Sequence, residues 1–365
     1  MRARTTRFLG ATAIAAGACL LLTGTASAVP AANGVPEVLA AAGSDTIFNV
    51  TAPIFANANS GTWNTDPDNY VNVPPVLTGT TTFTVPADPF NAAVTYNATT
   101  NVPPDGSSAG KAALKASADA GNGLIDLARS SSPRATSDPS TFEYYGFAKD
   151  GVTWASSATG SGAGLSLTIT QLRSIYNGTI TNWNQVGGGN AAIKLYLPQV
   201  GSGTLSFFTG TVLGFDPATI SGLTINRFQE NDATSIPAAN QATAIVPFSV
   251  AQWVAQGNSV SPNKRAGFTV NKLTGAGSDG APVTGSAGAY VPAFADTFLG
   301  ARTVFYVLDN RTVSYGQAKR AVGFDPTDHA ATASPLCGGK LAATLTQYGF
   351  KPLAANANGI TCVKS

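Results

Sequence analysis

Charge is scarce in this sequence. Only 11% of its 365 residues are Asp, Glu, Lys or Arg, and the two signs nearly cancel. Histidine occurs once, at His329, and cysteine three times, at Cys19, Cys337 and Cys362. Each scarcity removes a class of function. One imidazole and scattered thiols do not make a zinc site, and metal catalysis lacks ligands in number. No metal and no cofactor is expected. Without a basic stripe there is no electrostatic footprint for nucleic acid. Beyond the first 28 residues no stretch is apolar enough to span a bilayer. The chain also has no internal repeat and no low-complexity linker.

Those first 28 residues are organised differently. Arg2, Arg4 and Arg7 precede an apolar or small run, Leu9 to Leu22, and Ala26-Ser27-Ala28 closes it. This pattern predicts a secretory signal peptide cleaved after Ala28. Cys19 lies inside it, but Ala16 and Leu20-Leu21-Leu22 do not suit a lipid-anchor motif, so plain secretion is expected. Removal of the segment takes three of 21 basic residues away against 19 acidic ones, leaving a near-neutral chain. In an oxidising compartment the remaining pair, Cys337 and Cys362, is expected to form one disulfide.

The rest alternates strands with helices, which argues an α/β fold. Ala40 to Ala42 run as a buried strand into Gly43-Ser44-Asp45-Thr46, and Ile47, Val50, Ile54 and Phe55 follow at helical spacing. Gly106-Ser107-Ser108-Ala109-Gly110 opens a helix over Lys111 to Ala120. Leu124 to Ala128 form a strand that ends in Arg129-Ser130-Ser131-Ser132. Phe142 to Trp154 read as a strand turning at Lys149-Asp150-Gly151. Ile193, Leu195 and Leu197 alternate into Gly201-Ser202-Gly203-Thr204, which opens another helix. Later strands are expected at Ile225 to Gln229, Ala244 to Phe248 and Arg302 to Leu308, with helices at Ser249 to Gln256 and around Lys340 to Tyr348.

The recurrent element is a strand, a hydroxyl-rich turn and a helix start. At such a corner several backbone N–H groups lack helical partners and the helix dipole adds partial positive charge, so the natural guest is an anion. For Ser202 alone, a plain helix N-cap is the favoured explanation, and its weight changes because the same chemistry recurs elsewhere in the chain. The four tryptophans are read as core or hinge packing.

In their order, Gly43-Ser44-Asp45-Thr46, Gly106-Ser107-Ser108-Ala109-Gly110, Arg129-Ser130-Ser131 and Gly201-Ser202-Gly203-Thr204 resemble the corresponding corners of PstS-type phosphate-binding proteins of ABC importers. Leu165 to Gly188, with Leu172 to Gly178 and Thr181-Asn182-Trp183, is similar to that family's most recognisable segment, and Ala244 to Trp253 and Cys337 to Phe350 look like its actinobacterial members. The resemblance implies a two-lobed type II periplasmic-binding-protein fold with a hinge and an interlobe ligand cleft. Lobe I would comprise residues 36–149 and 297–365, and lobe II residues 150–296. It implies donors from Ser44, Thr46 and the Ile47 amide, from Ser107 or Ser108, and from Ser202, Gly203 and Thr204. It also implies a membrane ABC permease as partner, a small oxyanion as ligand and a monomeric state.

Three positions depart from the family pattern. Pro198 stands where an Arg is usual, Val200 where an Asp often accepts the proton of hydrogen phosphate, and Ser131 where another Asp is usual. Arg129, or else Arg134, is the candidate replacement cation, and Asp45 the candidate acceptor. Another small polar solute, or an adhesive surface protein without a transported solute, remains an alternative. A serine hydrolase using Ser108 in Gly106-Ser107-Ser108-Ala109-Gly110 with His329 is weaker, because Pro103-Pro104-Asp105 rather than a buried strand precedes the motif. The chain is therefore read as non-enzymatic.

Overall fold

The computed structural model describes residues 36–58, 63, 68–277, 281–325, 327 and 329–365. The expected signal segment, its cleavage site and Cys19 lie outside the described residues.

The first half of the fold grows from β1 (Val38–Gly43). All six of its residues are buried, so it reads as an unbroken apolar run rather than an alternating one. After a short 3-10 turn, α1 (Phe48–Ala58) turns Val50, Ile54 and Phe55 inward. β2 (Asn69–Asn72) pairs with β1 in parallel. α2 (Gly106–Ala120) returns the chain to β3 (Leu127–Ser130), which pairs with the other edge of β1. The helix lies directly on the strand: a Cβ at Gly110 would stand 2.6 Å from the Gly43 Cα. Gly121, left-handed at φ 63°, ends it.

β4 (Phe142–Ser157) is 16 residues long and crosses the whole molecule. The turn expected at Lys149-Asp150-Gly151 is not formed. Asp150 is fully buried in mid-strand, where a tertiary ion pair outweighs the turn preference of the sequence. Beyond the crossing, α3 (Ile169–Tyr176) starts at a reciprocal capping box between Thr168 and Gln171. β5 (Lys194–Pro198) leads to α4 (Gly203–Phe207), which continues as a π-helical turn over Phe208–Leu213. β6 (Asn226–Phe228) and β7 (Ala244–Ser249) flank β5 in parallel, and α5 (Val250–Gly257) is buried throughout. β8 (Phe268–Val270) pairs with the far end of β4. β9 (Ala301–Asp309) then runs back antiparallel to β4 along its whole length.

The main sheet order is β2-β1-β3-β9-β4-β7-β5-β6. Its two halves carry separate cores. Residues from Val152 to Phe298 form one cluster, with Trp154, Trp183, Tyr176 and Phe208 at its centre. Two clusters on opposite faces of β1, β3 and β9 form the other half. The molecule is thus two α/β lobes joined by β4 and β9. Cys337 and Cys362 are disulfide-bonded, with Cα atoms 5.0 Å apart, and the last strand, Val363–Lys364, lies along β4. Among the described residues no helix is long and apolar enough to cross a membrane.

Candidate functional site

The polar turns at the ends of β1, β3 and β5 and at the start of α2 meet between the lobes. Ser44 Oγ donates to Ser131 Oγ at 2.9 Å, and the Ser131 N–H donates to Ser107 Oγ at 3.0 Å. Gly203 of the opposite lobe presses onto this serine cluster. A Cβ there would lie 2.3 Å from Ser107 Oγ and 2.4 Å from Ser131 Oγ, which only glycine permits. The backbones also join, because the Ser108 N–H donates to the Gly201 carbonyl at 3.1 Å. The Ser108 side chain itself is exposed. Ser202 is fully buried, and its Oγ accepts the Leu205 N–H at 3.0 Å as the N-cap of α4. Ile47 turns its side chain into the lobe I core.

The centre of the seam is a four-residue cluster. Thr46 Oγ1 donates to Glu230 Oε1 at 2.9 Å, and Thr204 Oγ1 donates to the same oxygen. The two hydroxyls are 3.5 Å apart. Arg302 Nη2 donates to Thr46 Oγ1 at 3.2 Å and to Thr204 Oγ1 at 2.8 Å. Each threonine therefore accepts from a cation and donates to a carboxylate, a polarised relay that shortens and strengthens both bonds. Asp150 Oδ2 holds Arg302 by Nε and Nη2 at 3.1 and 2.8 Å. Arg302 Nη1 and Glu230 Oε2 are buried without a hydrogen-bond partner among the described residues.

A cavity of about 150 Å³ adjoins this cluster, lined by residues of both lobes including Asp45, Phe48, Pro74, Glu230 and Gln252. Gln252 Nε2 donates across it to the Thr46 carbonyl at 2.7 Å. Gln229 Nε2 reaches Asp45 Oδ2 at 2.7 Å and Asp105 Oδ1 at 3.3 Å. Burial, then the neighbouring charges of Asp105 and Glu230, holds the Asp45 carboxyl well above its ordinary range. Burial and the Glu230 charge push Asp105 up to about 6. Asp45 Oδ1 is another buried oxygen without a hydrogen-bond partner among the described residues.

Arg129 has a different task from the one the sequence suggested. All its donors are spent on the chain: the carbonyls of Ala41, Gly43, Ser44 and Val73, and Asn72 Oδ1. Its guanidinium staples β1 to the segment that follows β2 and stacks 5.2 Å from the Phe48 ring. Arg134 donates to the Pro139 and Phe142 carbonyls on lobe I. The cation at the seam is Arg302, which the sequence reading passed over together with Asp150, Glu230 and Gln252. A faint signal for two of them existed: Asp150 and Arg302 are charges inside mostly apolar strands, though β4 also carries Glu143 and Lys149 and β9 also carries Asp309. Pro198 ends β5, and Val200 is 80% exposed on the outside of the seam. His329 is exposed, its ring contacts Thr327, and neither surface cavity lined by Ser108 contains it. Among the described residues no group of three or more His, Cys, Asp or Glu is placed to hold a metal ion.

A family model described as a PBP superfamily domain matches residues 76–303. Among solved structures, the chain is similar to a Clostridium perfringens protein assigned as the substrate-binding component of a phosphate ABC transporter and solved with bound phosphate. Identity there is 14%, covering 85% of this chain and 98% of the other, at a TM-score of 0.51. It is also similar to the ancestral soluble variant of the Human Phosphate Binding Protein, at 13% identity, covering 88% and 92% of the two chains, with a TM-score of 0.51. At these identities the likeness extends to the fold, which is the two-lobed architecture anticipated above. No curated protein sequence matches the chain.

Proposed function

Because the chain belongs to the PBP superfamily, we propose that it is a solute-binding protein that captures a small oxyanion, phosphate foremost, for the membrane permease of an ABC importer. Residues 1–28 would direct its export. The observation that carries this reading is the engagement of one carboxylate oxygen of Glu230 by two threonine hydroxyls that Arg302 backs. A carboxylate is an oxyanion, so the cluster is already complementary to one. Hydroxyl donors with a single buried cation offer directional bonds without an excess of charge, as a small anion with several oxygens requires.

The donors come from different parts of the chain. Thr46 belongs to lobe I, Thr204 to lobe II, and Arg302 to a crossing strand. A ligand that bridges them is satisfied only when the lobes meet, so binding requires the closed arrangement.

Calorimetry of the purified chain with inorganic phosphate, sulfate and molybdate tests this. Thr46→Val and Thr204→Val each remove one charge-assisted bond, about 1.5 to 3 kcal/mol, and should weaken phosphate by roughly tenfold or more. Threonine variants that bind like the parent chain would place the ligand elsewhere. If no oxyanion or other small solute produces heat or a thermal shift, the adhesive surface protein on the same fold takes the place of this reading.

A further inference from the structure

We infer that Glu230 is an internal competing ligand, a latch whose carboxylate occupies the oxyanion donors and holds the lobes together until an external oxyanion displaces it. This rests on the oxyanion reading of the same cluster.

Three observations carry it. The first is the bridging geometry. Glu230 follows β6 on lobe II, yet its Oε1 accepts from Thr46 of lobe I at 2.9 Å as well as from Thr204 of its own lobe. It is 2% exposed, so the contact is sealed from water. The second is that its loop is braced for the role. The Glu230 N–H donates to Gln199 Oε1 at 2.8 Å. Asn231, left-handed at φ 59°, accepts the Ser249 N–H on Oδ1 at 3.1 Å and Gln256 Nε2 on its carbonyl at 2.9 Å. Asparagine tolerates that region, and these two bonds hold it there. The third is that the latch is only half satisfied. Among the described residues Glu230 Oε2 and Arg302 Nη1 are both buried without hydrogen-bond partners, although they belong to neighbouring groups of opposite charge. An anion with more oxygens than a carboxylate can use both hydroxyls and Nη1 at once, which Glu230 does not. The cavity of about 150 Å³ that Glu230 lines gives its side chain a place to move when displaced.

A latch that must be expelled lowers the apparent affinity by the fraction of molecules in which the donors are free. It also makes the closed form an intrinsic state of the chain. Both consequences can be measured. Small-angle scattering in phosphate-free buffer should give a larger radius of gyration for Glu230→Ala than for the parent chain, with Glu230→Gln between them. Inorganic phosphate should then compact Glu230→Ala, and calorimetry should show it binding phosphate about tenfold or more tighter than the parent. Glu230→Gln keeps the side-chain volume and removes the charge, so it should tighten binding too if the alanine variant fails to fold. Equal radii for all three proteins, or phosphate binding that is unchanged or weaker in both variants, would overturn the latch. Failure of the oxyanion reading looks different: Glu230→Ala would open, and no oxyanion would close it.

Discussion

Arg302 and Asp150 are direct cross-strand partners on β9 and β4, and their side chains meet at 2.8 Å with neither more than 1% exposed. Asp150 also accepts from Ser249 Oγ and the Ala251 N–H, so one carboxylate fixes the cation and caps α5. Asp150→Ala would leave a buried guanidinium without its counter-charge, at a cost of about 3 to 5 kcal/mol in urea unfolding. The double variant Asp150→Leu with Arg302→Met should recover much of that stability but not phosphate binding. Full recovery of binding would show that Arg302 serves only the fold.

Gly203 is the tightest point of the seam. Gly203→Ala would push a methyl group into Ser107 and Ser131, whose hydroxyl oxygens lie within 2.4 Å of the added carbon. Each lobe keeps its own core, so the thermal midpoint should move little while phosphate affinity falls by about tenfold. An unchanged affinity would mean that the lobes do not close this far when they bind.

Asp126 gives the fold a pH dependence of unusual sign. It is fully buried beneath β1, where it accepts the Ala40 N–H at 2.9 Å and the Ser314 hydroxyl. Burial pushes its carboxyl up to about 8. The unfolded group titrates near 4, so between about pH 4 and pH 8 the folded chain holds a proton that the unfolded chain has released. Stability therefore falls as pH rises through that window, by about 1.4 kcal/mol per pH unit for this group, and levels off above it. Asp105, raised to about 6, adds a slope of the same sign at the lower end. Urea midpoints between pH 5 and 9 should decline for the parent chain, and Asp126→Asn should make the decline shallower, leaving the part that the raised Asp45 and Asp105 contribute. Parallel profiles would mean that Asp126 is ionised in the fold.

The disulfide closes a loop between residues 25 positions apart. Cys337 is buried in the lobe I core, and Cys362 packs against the same cluster. On the loop-entropy account the bond contributes about 3 kcal/mol. A reductant should lower the thermal midpoint of the parent chain and leave that of a Cys337→Ser, Cys362→Ser double variant where it is. Equal sensitivity of the two would assign the effect to something other than this bond.

Local patterns announced most of the fold. β1, β5, β7, β9 and α5 stand within a few residues of where apolar runs and Ser or Thr caps place them. The signals failed where distant residues decide. Lys149-Asp150-Gly151 has the composition of a turn, but Asp150 takes its strand conformation from Arg302, 152 positions away. The helix Tyr315–Ala321 has a mixed pattern, with Gln317 and Lys319 buried alongside Ala318, and periodicity does not reveal it. The serine corners were legible because glycine and hydroxyl residues cluster at them in sequence. Glu230 was not, because Gln-Glu-Asn-Asp reads as an ordinary polar loop. Only the meeting of two lobes turns one of its acids inward.

Among the described residues β4 and β9 reach the junction of the lobes as a paired ribbon, matched from Phe142 to Gly151, and β4 continues into the second lobe against β7 and β8. The ladder has one irregularity, a register shift between Val304 and Phe305, where the ribbon departs from regular pairing. Arg302 and Asp150 are the next-to-last pair of this ribbon, so a ligand that engages Arg302 from the cleft acts on the one place where the strands leave the first lobe.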